Sequence, residues 1–380
     1  MAELKAGKSE LSNEDILEGE EIEEEEEERN TFRYDPEKIN IITREPTIEQ
    51  LLRRIDEEAL DLAPDFQRQA NIWNDQVKSR LIESIIIRIP LPAFYIDATD
   101  DDKWLVVDGL QRLSALNHFI SDKSDKRLRL KGLEYLEELE DKTYDQIERR
   151  YQRRIEETQV TVYLITKGTP PEVKYNIFKR INTGGTPLSP QELRHALNPG
   201  KATKFLAKLA KYREFKQVVN LSDSRRKRMD DREFVLGFLA FTLTSYKDYK
   251  DDTRDSFLSK ALFKANHISE DELNNIEYKF KKAMIAAFQI FGKNAFRKLS
   301  ANSNRKYPVN KALFEVWSVN LGQLDDEQIK VLLVRKQQLI DNFIRYVDND
   351  KEFLASISQA GIKVEYRFTT LEKIIQEVLL

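Results

Sequence analysis

Lys103-Trp-Leu-Val-Val-Asp-Gly-Leu-Gln-Arg-Leu-Ser-Ala-Leu-Asn-His-Phe-Ile120 is the stretch whose reading decides the first half of this chain. Trp104 to Val107 is an apolar run of strand length, and Asp108-Gly109 is turn chemistry. Leu113, Leu116, Phe119 and Ile120 then follow at helical spacing. The pattern predicts a buried strand that turns on a glycine into a helix opening near Gln111. Such a junction suits an anion, because the free N–H groups and the positive end of the helix dipole point the same way. Arg112 adds a fixed charge with five donors that match phosphate oxygens. Asp108 adds a carboxylate able to hold a metal ion or orient water. The same residues also read as a surface turn with a solvated Asp and Arg, and on spacing alone both readings stand.

Two further segments bear on that choice. Upstream lies Leu62-Ala-Pro-Asp-Phe-Gln-Arg68, and downstream Phe178-Lys-Arg-Ile-Asn-Thr-Gly-Gly-Thr-Pro-Leu-Ser-Pro-Gln-Glu-Leu-Arg194. The ordered set Pro-x-x-Gln-Arg, Asp-Gly-x-Gln-Arg and Phe-x-Arg-Ile-Asn-Thr-Gly-Gly-x-Pro-Leu-Ser closely resembles the N-terminal domain of GmrSD-type, modification-dependent restriction enzymes. That domain also occurs in other phage-defence proteins and is distantly related to the ParB/sulfiredoxin fold. The resemblance covers roughly residues 40–200 and weakens beyond. Relatives usually carry Asp-Gly-Gln-Gln-Arg, whereas Leu110 stands here in place of the first Gln.

The resemblance implies an α+β, ParB/sulfiredoxin-like N-terminal domain in which the motifs converge on a nucleotide pocket. Gln67, Arg68, Gly109, Gln111, Asn182 and Thr183 would bind the nucleotide, and Asp108 and Arg112 would be the catalytic pair, with Asp108 also the metal ligand. The implied cofactors are Mg²⁺ and a nucleoside triphosphate. There is no Gly-x-x-x-x-Gly-Lys-[Ser/Thr], so the chemistry is not that of a P-loop. The implied activity is nucleotide binding and hydrolysis within a DNA restriction or phage-defence system, with DNA and a separate nuclease chain as partners. The competing reading is a non-catalytic DNA-binding or adaptor protein that uses the pocket as a nucleotide switch, and Leu110 favours it.

Composition sets the outer bounds. The 380 residues are 40% hydrophobic and 34% charged and contain no cysteine, which excludes disulfides, thiolate metal sites and cysteine nucleophiles. No apolar run approaches membrane-spanning length and the N-terminus is acidic, so the expectation is a cytoplasmic protein with no membrane contact. The net charge of -4 hides a division: residues 1–29 carry 13 acids against 3 bases, and the rest is net +6. Residues 1–30, dominated by Glu18 to Glu28, predict a disordered acidic tail. It serves either as a solubilising segment or as a DNA mimic covering the basic body.

The remaining periodicity divides the chain into a domain over 31–200 and a mostly α-helical domain over 201–380. In the first, Ile39–Thr43 predicts a strand and Thr47 caps a helix. Asn74 or Asp75 caps a second helix, and Ala93–Ile96 with Trp104–Val107 predicts a β-hairpin. Residues 121–158 predict a surface helix around Tyr144, Ile147 and Tyr151, and Gln159–Ile165 a strand. Pro170-Pro171 opens a helix with Val173, Ile177, Phe178 and Ile181 inward. Ser189-Pro190-Gln191-Glu192 has the form of a capping box after the Gly184-Gly185 loop. Helical periodicity continues over 201–219, 230–246, 269–291, 308–320, 326–347 and 369–380.

Three other features invite a chemical reading. His118, His195 and His267 are too few and too scattered for an HNH nuclease, so no such site is expected in this chain. Arg225-Arg226-Lys227-Arg228 is a candidate DNA-backbone contact, although Asp223, Asp230 and Asp231 flank it and a solvated loop is the competing reading. Lys293 to Lys306 is a second basic region, with Phe296 and Tyr307 among its bases, that either grips nucleic acid or joins two helices. Leu313, Phe314 and Trp317 after it read as core.

Overall fold

A computed structural model describes residues 39–62, 73–122, 124, 126–181, 188–249, 253–303 and 305–380. These fall into two compact units, one within Arg33–Pro199 and one within Gly200–Leu380. The acidic tail over residues 1–30 lies outside the described residues.

The first unit runs β1 (Ile41–Arg44), α1 (Ile48–Asp56), β2 (Leu60–Asp61), α2 (Asp75–Ile86), β3 (Phe94–Ala98) and β4 (Trp104–Asp108). It continues with α3 (Leu110–Ile120), α4 (Arg149–Glu156), β5 (Val162–Thr166), α5 (Pro171–Ile181) and α6 (Pro190–Leu197). Helices begin where local chemistry starts them. Thr47 and Ser189 form capping boxes with Gln50 and Glu192, and the Asn74 side chain accepts from the Val77 N–H. The strands form one mixed sheet in the order β1-β5-β3-β4-β2, with β3 central between parallel β5 and antiparallel β4.

Alternation along the strands sends side chains to two faces. Phe94, Ile96, Val106, Val162 and Leu164 pack with Ile48, Leu52, Ile82, Ile85, Leu113, Leu116 and Phe119 of α1, α2 and α3. On the opposite face Val107 and Ile165 meet Tyr175 and Phe178 of α5 and Leu193 and Leu197 of α6. The unit is therefore α+β, a sheet with helices on both faces.

Residues 121–158 differ from the expected surface helix. They hold two single 3-10 turns (Glu137–Leu139 and Tyr144–Gln146) and become α-helical only in α4. Leu128, Leu130, Leu139, Tyr144, Ile147, Tyr151 and Ile155 are all in the core. The segment is charged because its non-core positions face water, while irregularly spaced apolar residues anchor it one by one. The Glu83 carboxylate fixes its path by accepting the N–H groups of Glu134, Tyr135 and Leu136 at 3.0, 2.7 and 2.9 Å. Burial pushes the Glu83 pKa up, and those three donors with Arg80 outweigh it, leaving the carboxyl below its ordinary value.

The second unit is helical apart from two isolated β-bridges. Its helices are α7 (Lys201–Leu209), α8 (Arg213–Val218), α9 (Asp223–Lys227), α10 (Asp230–Leu243), α11 (Arg254–Ala265) and α12 (Glu270–Phe291). They continue as α13 (Lys311–Gln323), α14 (Asp326–Val334), α15 (Lys336–Asn349), α16 (Lys351–Ser356) and α17 (Val364–Leu379). The periodic blocks 201–219 and 326–347 are each two helices, broken at Ala210–Tyr212 and at Arg335. Helices α9, α11 and α16 were not expected. The loop reading of Arg225–Arg228 is thereby corrected: Ser222 caps α9 by accepting the Arg225 N–H, and Arg228 ends it.

The middle of this unit contains an ionic network. Glu315 is 1% exposed and accepts from Arg254 Nη2 at 2.9 Å and from Arg367 Nη2 at 2.8 Å. Glu233 accepts from Arg254 Nη1 at 2.7 Å and Lys311 Nζ at 3.0 Å. Gly237 of α10 faces Glu315, and a Cβ there would come within 2.7 Å of the carboxylate oxygen. The pairs tie α10, α11, α13 and α17 together. A lone buried charge has no such compensation, so removing one carboxylate should cost about 3–5 kcal/mol. Glu315→Leu should lower the denaturant midpoint of the helical unit accordingly, followed by far-ultraviolet circular dichroism on the full chain. A loss under about 1 kcal/mol would show that Arg254 and Arg367 do not depend on it.

Candidate functional site

The Asp-Gly motif sits where β4 becomes α3. Along the β3–β4 hairpin, Asp97 pairs with Leu105 and Ile96 with Val106, but Tyr95 pairs with Asp108, so Val107 is an extra residue on β4. A bulge of this kind bends the strand and re-aims the side chain that follows it. Gly109 then takes φ +95°, a left-handed conformation that L side chains rarely adopt. A Cβ at Gly109 would lie 2.3 Å from the Phe94 ring. Glycine is thus required twice over, by the turn and by the contact. The N-cap of α3 is Gly109 itself, which makes no side-chain cap hydrogen bond, and the N-terminal turn of a helix carries the positive end of its dipole.

Arg112, one turn into α3, closes back on this junction. Its Nη2 donates to Asp108 Oδ2 at 3.0 Å and to the Ala93 carbonyl at 3.0 Å. Its Nη1 donates to the Pro92 carbonyl. The guanidinium lies over the Phe94 ring, 4.4 Å from its centroid. Burial pushes the Asp108 carboxyl above its ordinary value, against the opposing pull of Arg112 and the Gly109 N–H. Burial also lowers Arg112, against the opposing pull of Asp108. Desolvation therefore exceeds mutual attraction in this pair. Tyr95 joins the group: its ring stacks on Tyr163 with centroids 5.0 Å apart. Its phenol is raised first by burial, then by Tyr163 and Asp108.

Of the residues expected at the site, Asp108, Gly109, Gln111 and Arg112 come together at this one turn. Gln67, Arg68, Asn182 and Thr183 lie outside the described residues. The described end of the third motif does reach the turn: Leu188 packs with Leu105, Leu110 and Ala196 in one small apolar cluster. Leu110, where relatives have Gln, is therefore a packing residue between β4 and α6.

Two buried cations of this unit were not foreseen, and their bonds to Gln191 and Asp97 lie away from the Asp108 turn. Arg194 on α6 is fully buried and donates to Gln191 Oε1 at 3.2 Å, with its guanidinium 5.4 Å from the Tyr175 ring centroid. Lys174 on α5 reaches Asp97 of β3 at 2.7 Å, both nearly buried. The available signal was polar residues at i and i+3 on helices with apolar faces, Gln191/Arg194 among them.

The other sequence candidates lie elsewhere. Arg225 pairs with Asp230 at 3.3 Å and Arg226 with Asp223 at 2.6 Å, so at least two of that run's four cations have acidic partners. Phe296 is buried and packs edge-on against Phe314, so it is core and not a stacking platform. His118 contacts the Lys126 carbonyl at 2.7 Å and His267 the Phe263 carbonyl at 2.9 Å, while His195 is buried on α6. Among the described residues no three His, Cys, Asp or Glu side chains are grouped to hold a metal ion. A Mg²⁺ that arrives with a polyphosphate needs only one or two carboxylates from the protein, so Asp108 fits that mode.

The bulged strand, glycine turn and helix thus define an α+β domain whose strand-to-helix junction is built on Gly109. Residues 48–198 match the family model described as GmrSD restriction endonuclease, N-terminal domain. That segment of the chain is a GmrSD-type N-terminal domain. No curated protein and no solved structure matches the chain.

Two outcomes follow from the junction. Gly109→Ala should destabilise the unit by at least about 1–3 kcal/mol, since strain and overpacking against Phe94 act together. A thermal-melt shift within error would disprove the close approach. For Asp108 the folded carboxyl holds its proton more tightly than the ordinary value of 3.8. Its ionisation therefore costs stability, a cost absent below that value and complete above the raised one. Wild-type stability relative to Asp108→Asn should fall as pH rises from 3.8 through the raised value and then level off, in urea titrations. A constant difference would show the carboxyl is not desolvated.

Proposed function

We propose that this chain is a component of a DNA restriction or phage-defence system. Its N-terminal domain binds a Mg²⁺–nucleoside triphosphate at the Asp108-Gly109 turn and hydrolyses it. The observation that carries the reading is the match of residues 48–198 to the GmrSD N-terminal domain, whose second motif forms the glycine turn. In this reading the α3 N-terminus receives phosphate oxygens, and Asp108 holds the metal ion or the attacking water. Arg112 holds the turn in shape and contributes its charge. Gln67, Arg68, Gln111, Asn182 and Thr183 orient the nucleotide. Nucleotide state then gates DNA engagement, or a nuclease supplied by another chain.

A second reading has its own support. The Arg112 fork is largely taken by Asp108, Pro92 and Ala93, and Leu110 is apolar. A pocket so built suits a nucleotide switch without turnover. Phosphate release from ATP, GTP, CTP and UTP with Mg²⁺, with and without DNA, separates the two. Hydrolysis by the wild type and its loss in Asp108→Ala support the enzyme. Binding without hydrolysis, weakened about ten- to hundredfold in Asp108→Ala, supports the switch. Unchanged nucleotide binding in both Asp108→Ala and Arg112→Ala would remove this turn from consideration.

A further inference from the structure

The chain's positive charge is concentrated in one place. Residues 201–380 carry 33 Lys and Arg against 24 Asp and Glu, net +9, whereas residues 30–200 carry 26 against 29, net -3. Within the basic unit, the stretch from Tyr278 to Phe314 contains nine bases and no acid. It comprises the C-terminal half of α12, a turn, and the segment leading into α13.

The turn is ordered by one buried cation. Arg297, 4% exposed, donates from Nε to the Lys293 carbonyl at 3.2 Å and from Nη1 to the Tyr307 carbonyl at 2.6 Å. Bridges Arg297↔Val309 and Ser300↔Ser303 close the segment on itself. Phe296 anchors it in the core at 4.7 Å from the Phe314 centroid. Lys293, Asn294, Asn302, Arg305 and Lys306 are left exposed. Asp348 of α15 accepts the Ala301 N–H at 2.9 Å and so sets one carboxylate against the turn, while Glu277 of α12 is paired with Lys208 at 2.5 Å. A turn that presents three exposed cations and two exposed amides, with no acid in its own sequence, has the chemistry of a phosphate-backbone contact.

We infer that the Lys293–Lys306 turn of the helical unit is a docking surface for the phosphate backbone of duplex DNA. This rests on the reading of the chain as part of a DNA restriction system and gives that reading a surface. The apolar exposed residues of α12, Ile285 and Phe288, lie outside it. The Arg225–Arg228 run contributes less, because Asp223 and Asp230 neutralise part of its field.

The test uses the full chain and a short labelled duplex, titrated by fluorescence anisotropy at several salt concentrations. Lys293→Glu/Arg305→Glu/Lys306→Glu is compared with Lys336→Glu/Lys351→Glu/Lys373→Glu, which changes the charge equally at three other exposed lysines. The first triple should bind at least roughly tenfold more weakly than the second, with a salt slope shallower by about 2–3. Equal affinity and slope in the two triples would overturn the surface while leaving DNA binding intact. Tighter binding of duplex RNA than of duplex DNA would also overturn it. No duplex binding by the wild type would remove both this surface and the DNA-acting part of the proposed function, while nucleotide binding at Asp108 would be judged separately by phosphate release.

Discussion

The contact between Gly109 and the Phe94 ring is the constraint on which the N-terminal unit turns. It sits where the central hairpin gives way to a helix, and it permits no side chain at that position. Because the backbone approaches the ring so closely, α3 starts directly over β3, and Arg112 comes within reach of Pro92 and Ala93. Those bonds satisfy carbonyls at the entrance to the middle strand, which otherwise would be desolvated for nothing in return. The ring also supplies the face against which the guanidinium lies. Shape at one glycine therefore decides where a buried charge goes, and that charge decides where the Asp108 carboxylate points.

Both units bury ionic groups, with different consequences. In the helical unit Glu233, Arg254, Lys311, Glu315 and Arg367 are ion-paired across four helices, so the network specifies how those helices meet. Dispersion contacts among Phe234, Phe238, Phe280 and Phe314 stabilise many similar packings; a network with fixed donor directions favours one. The Asp108–Arg112 pair differs in access: burial raises its carboxyl, yet Asp108 remains partly exposed, whereas Glu315 and Arg367 are sealed in the core. A desolvated group that a ligand can reach at a helix N-terminus is more easily relieved than one that no ligand can reach. That difference is why the small pair, and not the larger network, is the better candidate for chemistry.

Much of this was legible because local chemistry and tertiary structure agree. Thr47, Asn74 and Ser189 announce helices that begin at those residues. The Trp104–Ile120 junction reads as strand, glycine turn and helix because period, turn chemistry and burial all change at Asp108-Gly109. The segment 121–158 was illegible for the opposite reason. Its core residues follow no period, and its course depends on Glu83, which lies far away in sequence. The bulge at Val107 and the commitment of Arg112 to main-chain carbonyls are likewise invisible in one dimension. They depend on which carbonyls face the guanidinium after the hairpin has formed. Helix α11 was overlooked although Phe257, Leu258, Ala261, Leu262 and Ala265 keep helical spacing, because the polar run before it resembles an extended loop.

Charge along the chain carries a separate argument. The sum of -4 is the residue of three unlike parts: a strongly acidic N-terminal stretch, a nearly balanced α+β domain and a basic helical unit. Electrostatic attraction acts over about 8–10 Å at ordinary ionic strength, so the average is physically irrelevant and the local excess is what a polyanion meets. The stretch from Glu18 to Glu28 is itself a polyanion. Where a polyanion would bind is therefore set by the local excess of Lys and Arg, and the steepness of its salt dependence by how many of them it meets.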